Sequence, residues 1–148
     1  MSLDKIEDDF IFLHADTLAD INVIEGILAS KSDVCLAVDF KVCGEEEMKF
    51  WLDKDRICRV TKDDIGREAQ GEFVGIAKFS RNMINYFSEK SKEIFKSGLL
   101  NSYMEEVLDQ GLISKNIMVD YFDATFYKTI EIDFVEDLEV ARKMFKEG

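Results

Sequence analysis

Gly71-Glu72-Phe73-Val74-Gly75-Ile76-Ala77-Lys78-Phe79-Ser80 is the stretch on which the reading of this chain turns. Its β-branched, apolar and aromatic residues, with Glu72 and Lys78 the only charges among nine, predict a strand. The two glycines inside it mark a bulge or a place where a ligand must approach the backbone closely. Ser80 then stands where it can cap a helix carrying Met83, Ile84, Phe87, Ile94 and Phe95. Toward the N-terminus, Met48 to Leu52 and Arg56 to Val60 predict two short strands around an Asp53-Lys54-Asp55 turn. Val34 to Val38 and Phe10 to Leu13 are short continuous apolar runs and predict buried strands. Between them Ile21, Ile24, Ile27 and Leu28 recur at helical spacing from Leu18 onward, with Thr17 as the predicted cap. Toward the C-terminus, a helix is predicted from about Ser102 to Gln110, with Tyr103, Met104, Val107 and Leu108 on one face and Gly111 just past its end. Strands follow at Ile117 to Tyr121 and Phe126 to Ile132. An amphipathic helix closes the chain, with Val135, Leu138, Ala141, Met144 and Phe145 facing inward.

Strands alternating with helices imply an α/β fold, and the hairpin in the middle implies a mixed sheet. With no proline, repeat or linker-like tract, all 148 residues read as one domain. Ligands of open α/β sheets gather beyond the carboxyl ends of the strands. Asp16 follows the first predicted strand and Asp133 the last, so both stand where such a ligand would be held.

The totals exclude several classes of function. A net charge of −12 opposes any phosphate backbone or anionic bilayer, so neither nucleic acid nor a membrane is an expected partner. A nucleoside triphosphate meets the same field, and its binding requires a metal ion and local lysines. No apolar run reaches membrane-spanning length, and the acidic start does not suit a signal peptide. Cys35, Cys43 and Cys58 are an odd number without C-x-x-C spacing and read as reduced thiols, which places the chain in the cytoplasm. None has a basic neighbour that would make it a nucleophile.

Magnesium takes hard oxygen ligands, commonly one or two carboxylates with phosphate and water completing the octahedron. Asp16 and Asp133 on neighbouring strands supply that pair. Each also has an ordinary role open to it. Asp16 can prepare a helix start, and Asp133 with Glu136 three residues on has the form of a capping box. Lys49 and Lys62 can be solvated hairpin lysines, and alternation can put Lys78 on a polar sheet face. Trp51 can be core, and His14, the sole histidine, can be a strand-end residue.

Three stretches resemble the nucleotidyltransferase superfamily. Phe10-Ile-Phe-Leu-His-Ala-Asp16 resembles its strand ending in a metal-binding aspartate. Glu131-Ile132-Asp133, with Glu136-Asp137-Leu138-Glu139 and Ala141-Arg142, resembles its closing E-I-D-x-x-E-D-L-x-x-A-R motif. Glu47-Met48-Lys49, Asp55-Arg56-Ile57, Lys62 and Gly71 to Ser80 are similar to the phosphocholine and phosphonate cytidylyltransferase branch, including domains found beside phosphoenolpyruvate mutases. The resemblance implies a three-layer αβα, Rossmann-like fold of the nucleotide-diphospho-sugar transferase type. It also implies a reaction in which a phosphate or phosphonate oxygen attacks the α-phosphorus of a nucleoside triphosphate, CTP by preference, and pyrophosphate leaves. In that reaction Asp16 and Asp133 hold Mg2+, and Lys49, Lys62 and Lys78 contact phosphates or acceptor. Glu72 and Gly75 line the acceptor pocket, and a choline-like cation would be held by Glu72 with Tyr103 or Trp51. His14 departs from the family's usual Gly or Asn.

The family's opening strand and its L-A-A-G-x-G-x-R loop, whose backbone amides hold the triphosphate, should precede residue 1. No G-x-G-x-x-G or G-K-[ST] occurs in the sequence. The expectation is therefore the C-terminal part of a nucleotidyltransferase domain, lacking its N-terminal βα portion and inactive alone. A non-catalytic binding module and a subunit completed by a separate N-terminal chain remain as alternatives. The strand Phe10 to Leu13 would then be a sheet edge open to homodimerisation.

Overall fold

The structure, a computed structural model, describes residues 6–96 and 104–146. Its elements are β1 (Phe10–Leu13), β2 (Thr17–Ala19), α1 (Ile21–Ala29), β3 (Val34–Asp39), β4 (Lys49–Asp53), β5 (Arg56–Thr61), β6 (Gly71–Phe79), α2 (Met83–Lys96), α3 (Met104–Ile113), β7 (Val119–Asp123), β8 (Thr129–Glu131) and α4 (Val135–Met144). Six strands form a mixed sheet in the order β1-β6-β3-β7-β5-β4, and β2 pairs with β8 in a separate antiparallel ribbon. β3 and β7 are parallel, while β6 runs antiparallel to β1, β3 and β4. Because β4 returns to β6, the pairings β6-β3-β7-β5-β4 close into a ring.

Alternation along β3 builds the layers. Val34, Leu36 and Val38 face one core with α2 and α3, whereas Cys35 and Ala37 face a second core with Val23 and Ile27 of α1. Helices on both faces give the predicted αβα arrangement. Gly26 lets α1 lie close to β7, since a Cβ there would stand 2.2 Å from the Phe122 ring. On the other face Phe79 and Phe87 meet edge to face at 4.8 Å between centroids, a geometry that adds about 1 kcal/mol to simple burial.

Several local expectations are corrected. The first helix starts at Ile21, and its cap is Asp20, whose carboxylate accepts from the Asn22 amide. Thr17 and Leu18 belong instead to β2, paired across more than a hundred residues with Glu131 and Ile130. A pairing that distant leaves no local pattern. β1 is half exposed, with Ile11 and Leu13 outward. Ser80 gives its hydroxyl to the Asp33 carboxylate. The last predicted strands shift to β7 and β8, leaving Phe126 exposed. On α4 only Ala141 is fully buried, and Val135 faces out.

Gly111 lies inside α3, where a Cβ would press on the Tyr86 hydroxyl at 2.6 Å and the Ile117 side chain at 2.7 Å. Close packing, not chain reversal, is its reason. Lys115 takes the left-handed turn at φ 56°, and the Asn116 and Lys115 amides donate to the carbonyls of Gly111 and Leu112. The predicted start at Ser102, and Tyr103 with it, lie outside the described residues.

Candidate active site

β1, β3 and β7 run in one direction, so their carboxyl ends share one side of the sheet. A cavity of about 860 Å³ opens there, lined by the segment after β1, the end of β3, the start of β6 and the β8 region. β6 makes this possible. Its edge opposite β3 pairs first with β4, through Glu72 and Gly71, and then with β1, through Ile76 to Phe79. The exchange happens around Gly75, whose φ of 77° only glycine adopts without strain and whose carbonyl accepts from the His14 amide. β1 and β4 therefore diverge at the point where the cavity begins.

Asp16 and Asp133 both line this cavity. The Ile132 amide donates to the Asp16 carbonyl at 2.9 Å, which ties the two segments together. Neither aspartate caps a helix. Asp20 caps α1, and at α4 the Asp137 carboxylate accepts the amides of Asp133 and Phe134 at 3.2 and 2.8 Å. The capping-box reading of Asp133 with Glu136 is replaced by Asp137, and the Asp133 side chain is left facing the cavity.

Of the other predicted residues, Lys62 and Glu72 line the cavity. Lys62 stands 3.8 Å from Glu46, and Glu72 pairs with Lys41 at 2.7 Å. Lys49 lies outside the lining and donates to the carbonyls of Glu45 and Lys62 at 2.9 and 2.7 Å, which clasps the hairpin. Lys78 is buried on the α1 face and donates to the carbonyls of Ser30 and Ser32 at 2.7 and 3.0 Å. It is neither on a polar sheet face nor among the lining residues. Trp51 is buried, with its indole N–H on the Arg67 carbonyl, so it offers no face to a ligand cation. Gly75 lies beneath the His14 ring: a Cβ there would stand 2.6 Å from Nδ1.

Four participants escaped sequence reasoning. Glu131 lies with His14 and Asp16 in a group whose ligand atoms are all within 4.8 Å of one another. Its spacing of two from Asp133 along an extended chain was the available signal. Burial pushes the Glu131 carboxyl up, and the carboxylates of Asp133 and Asp16 push it further. His14 was visible only as a strand-end residue, yet its Nε2 lies 2.7 Å from the Glu105 carboxylate. That hydrogen bond holds the imidazolium above its ordinary range, against the effect of burial. Glu105 is 3% exposed and comes from α3, which no local pattern connects to the site. At Lys41, just past the end of β3, burial disfavours the charged ammonium, but the carboxylates of Glu72, Glu47 and Asp39 together hold it above the ordinary lysine range.

Eight carboxylates and two lysines line the cavity. Such a lining repels an unaccompanied polyphosphate and attracts cations. Beneath it the Thr17 hydroxyl, on a residue 7% exposed, has no hydrogen-bond partner among the described residues.

No protein-family model matches the chain, and no curated protein sequence does. Solved structures do. The inositol-1-phosphate CTP transferase from T. maritima superposes with a TM-score of 0.71 at 18% identity, covering 99% of this chain and 60% of that one. The CTP:phosphocholine cytidylyltransferase from Streptococcus pneumoniae gives 0.66 at 13% identity, covering 90% and 56%. HddC from Yersinia pseudotuberculosis gives 0.62 at 17% identity, covering 97% and 59%. The chain thus has the nucleotidyltransferase fold and spans less than two thirds of the length of these structures.

Proposed function

We propose that this chain carries the metal- and acceptor-binding side of a nucleotidyltransferase. The complete activity would move a nucleotidyl group, cytidylyl by preference, from a nucleoside triphosphate to a phosphocholine-, phosphonate- or sugar-phosphate-type acceptor. The observation that carries the reading is the meeting of Asp16 and Asp133 in one cavity, with neither employed as a helix cap. The fold and the names of two neighbours, a CTP transferase and a phosphocholine cytidylyltransferase, support it.

The residues fit a divalent cation. Asp16, Asp133 and Glu131 offer hard oxygen donors whose mutual repulsion a cation relieves, and the orphaned Thr17 hydroxyl offers a further oxygen nearby. Bound there, Mg2+ would neutralise charge on the reacting phosphates. Asp16 and Asp133 would hold and orient it. Lys62 and Lys41, the two lysines of the lining, face the acceptor and phosphates. Lys41 also fixes Glu72 in place and leaves it accessible on the acceptor side. In-line displacement needs little more of a protein than this positioning and charge stabilisation.

Calorimetric titration of phosphocholine into the chain tests the reading. Binding should require Mg2+ and disappear in Asp16→Asn and Asp133→Asn. Binding indifferent to the metal and to both substitutions would overturn it. Acceptor binding without CTP that persists in the longest polypeptide encoded in frame would favour the binding module, and co-purification of a small partner would reveal the partner-completed subunit. The edge of β1 that no strand covers among the described residues, with Ile11 and Leu13 exposed, is where we place a homodimer contact, and sedimentation of a monomer at high concentration would exclude that.

A further inference from the structure

We propose that His14, Asp16 and Glu131 form a site for a divalent transition-metal ion, bound through an imidazole nitrogen and two carboxylates in preference to Mg2+. The inference rests on the reading of the cavity as a metal-assisted transfer site and specifies which ion that site selects. The three side chains present ligand atoms within 4.8 Å of one another, a spacing that one ion spans. Among them only imidazole is a borderline-soft donor. Magnesium takes it poorly, whereas Mn2+, Co2+ and Zn2+ accept it readily.

The second coordination layer is already built. Glu105 is buried and accepts a hydrogen bond from His14 Nε2 at 2.7 Å. In the neutral ring that fixes the proton on Nε2 and leaves the lone pair on Nδ1. Nδ1 is the nitrogen facing the cluster, 3.7 Å from the Glu131 carboxylate. A carboxylate behind a histidine behind a metal is the usual way in which proteins orient such a ligand and raise its basicity. A histidine serving only as packing at a strand end has no need of a nine-tenths-buried glutamate.

Gly75 supplies the room. A Cβ at that position would stand 2.6 Å from His14 Nδ1 and 3.0 Å from the Thr17 hydroxyl, so the absent side chain keeps open the space on which both atoms converge. Among the described residues the buried Thr17 hydroxyl has no partner. A water carried by the ion would satisfy it. Asp133 lines the same cavity outside the tight cluster and would join Asp16 on the ion once substrate phosphate is bound.

His14 is the only histidine in the chain, so its ring protons are assignable without ambiguity in a proton NMR spectrum. The experiment is a titration of the chain with Co2+ and, separately, with Mg2+, following those resonances and the visible absorption of Co2+. Co2+ should bind about tenfold or more tightly than Mg2+ and shift the His14 protons far outside the diamagnetic range. His14→Asn should bring Co2+ affinity down to that for Mg2+. Glu105→Gln, which keeps the fold's hydrogen bond and removes the charge, should weaken Co2+ by about tenfold without matching loss for Mg2+. Near-ultraviolet circular dichroism confirms that each variant is folded. Equal binding of both ions with His14 unperturbed would overturn the inference and leave the carboxylate metal site standing. Failure of both ions to bind would overturn both.

Discussion

Glu105 and Asp109 sit one turn apart on the buried face of α3 and meet opposite fates. Asp109 is closed on all sides. Arg59 donates to it through Nε at 2.7 Å and through a second guanidinium nitrogen at 2.8 Å, and the Val60 amide donates at 3.0 Å. That arrangement locks α3 onto β5 and commits both carboxylate oxygens to protein donors. Glu105 is at least as deeply buried, yet among the described residues its partner is His14, a ring whose other nitrogen looks into the cavity. Two acids on one helix thus separate structural electrostatics from site electrostatics. The distinction lies in whether the partner's remaining valence points into protein or into open space.

Breaking the closed pair should have the largest effect. Asp109→Ala leaves a half-buried guanidinium and the buried Val60 amide without their acceptor, and should cost about 3 kcal/mol in urea denaturation. A loss below about 1 kcal/mol would mean that Arg59 simply swings to water, and the contrast with Glu105 would fail.

Glu105→Gln should cost less than about 1 kcal/mol, because the glutamine oxygen can still accept the His14 proton. Its signature is in pH dependence. In the metal-free chain Glu105 holds His14 above the ordinary histidine value of about 6.5. A raised folded-state value makes the pair's contribution complete below pH ~6.5 and lost as pH rises through the folded value. The stability gap between wild type and Glu105→Gln should therefore narrow with rising pH, and a widening gap would contradict the assignment.

The smallest effect calibrates α3 itself. Lys115 ends the helix at φ 56°, where glycine is the unstrained residue. Lys115→Gly should stabilise by about 0.5 kcal/mol without altering the pH dependence set by Glu105. A shift in that dependence would show that the helix end, and not the acid pair, controls the His14 environment.

What the sequence disclosed follows the range of the physical signal. β3 was legible because a strand buried on both faces writes a continuous apolar run, β6 because its length and apolar-aromatic content outweigh two charges, and the β4–β5 hairpin because Lys54-Asp55 forms its turn. Asp16 and Asp133 were legible as strand-end carboxylates, but pairing of β2 with β8 brings their segments together, and three residues of β2 carry no pattern of their own. Lysine roles were the least legible. Lys49, Lys62 and Lys78 look alike in sequence, and only tertiary structure sends two of them to backbone carbonyls and one to the cavity. Glu105 could not be found at all, since its importance depends on a hydrogen bond spanning 91 positions.

The most direct test is ³¹P NMR of CTP and phosphocholine incubated with divalent cation and the longest polypeptide encoded in frame with this chain. The expected result is metal-dependent pyrophosphate release with a cytidylylated product, reduced about a hundredfold or more by Asp133→Asn while the fold persists. Turnover that survives Asp133→Asn unchanged would contradict the assignment of this cavity as the transfer site.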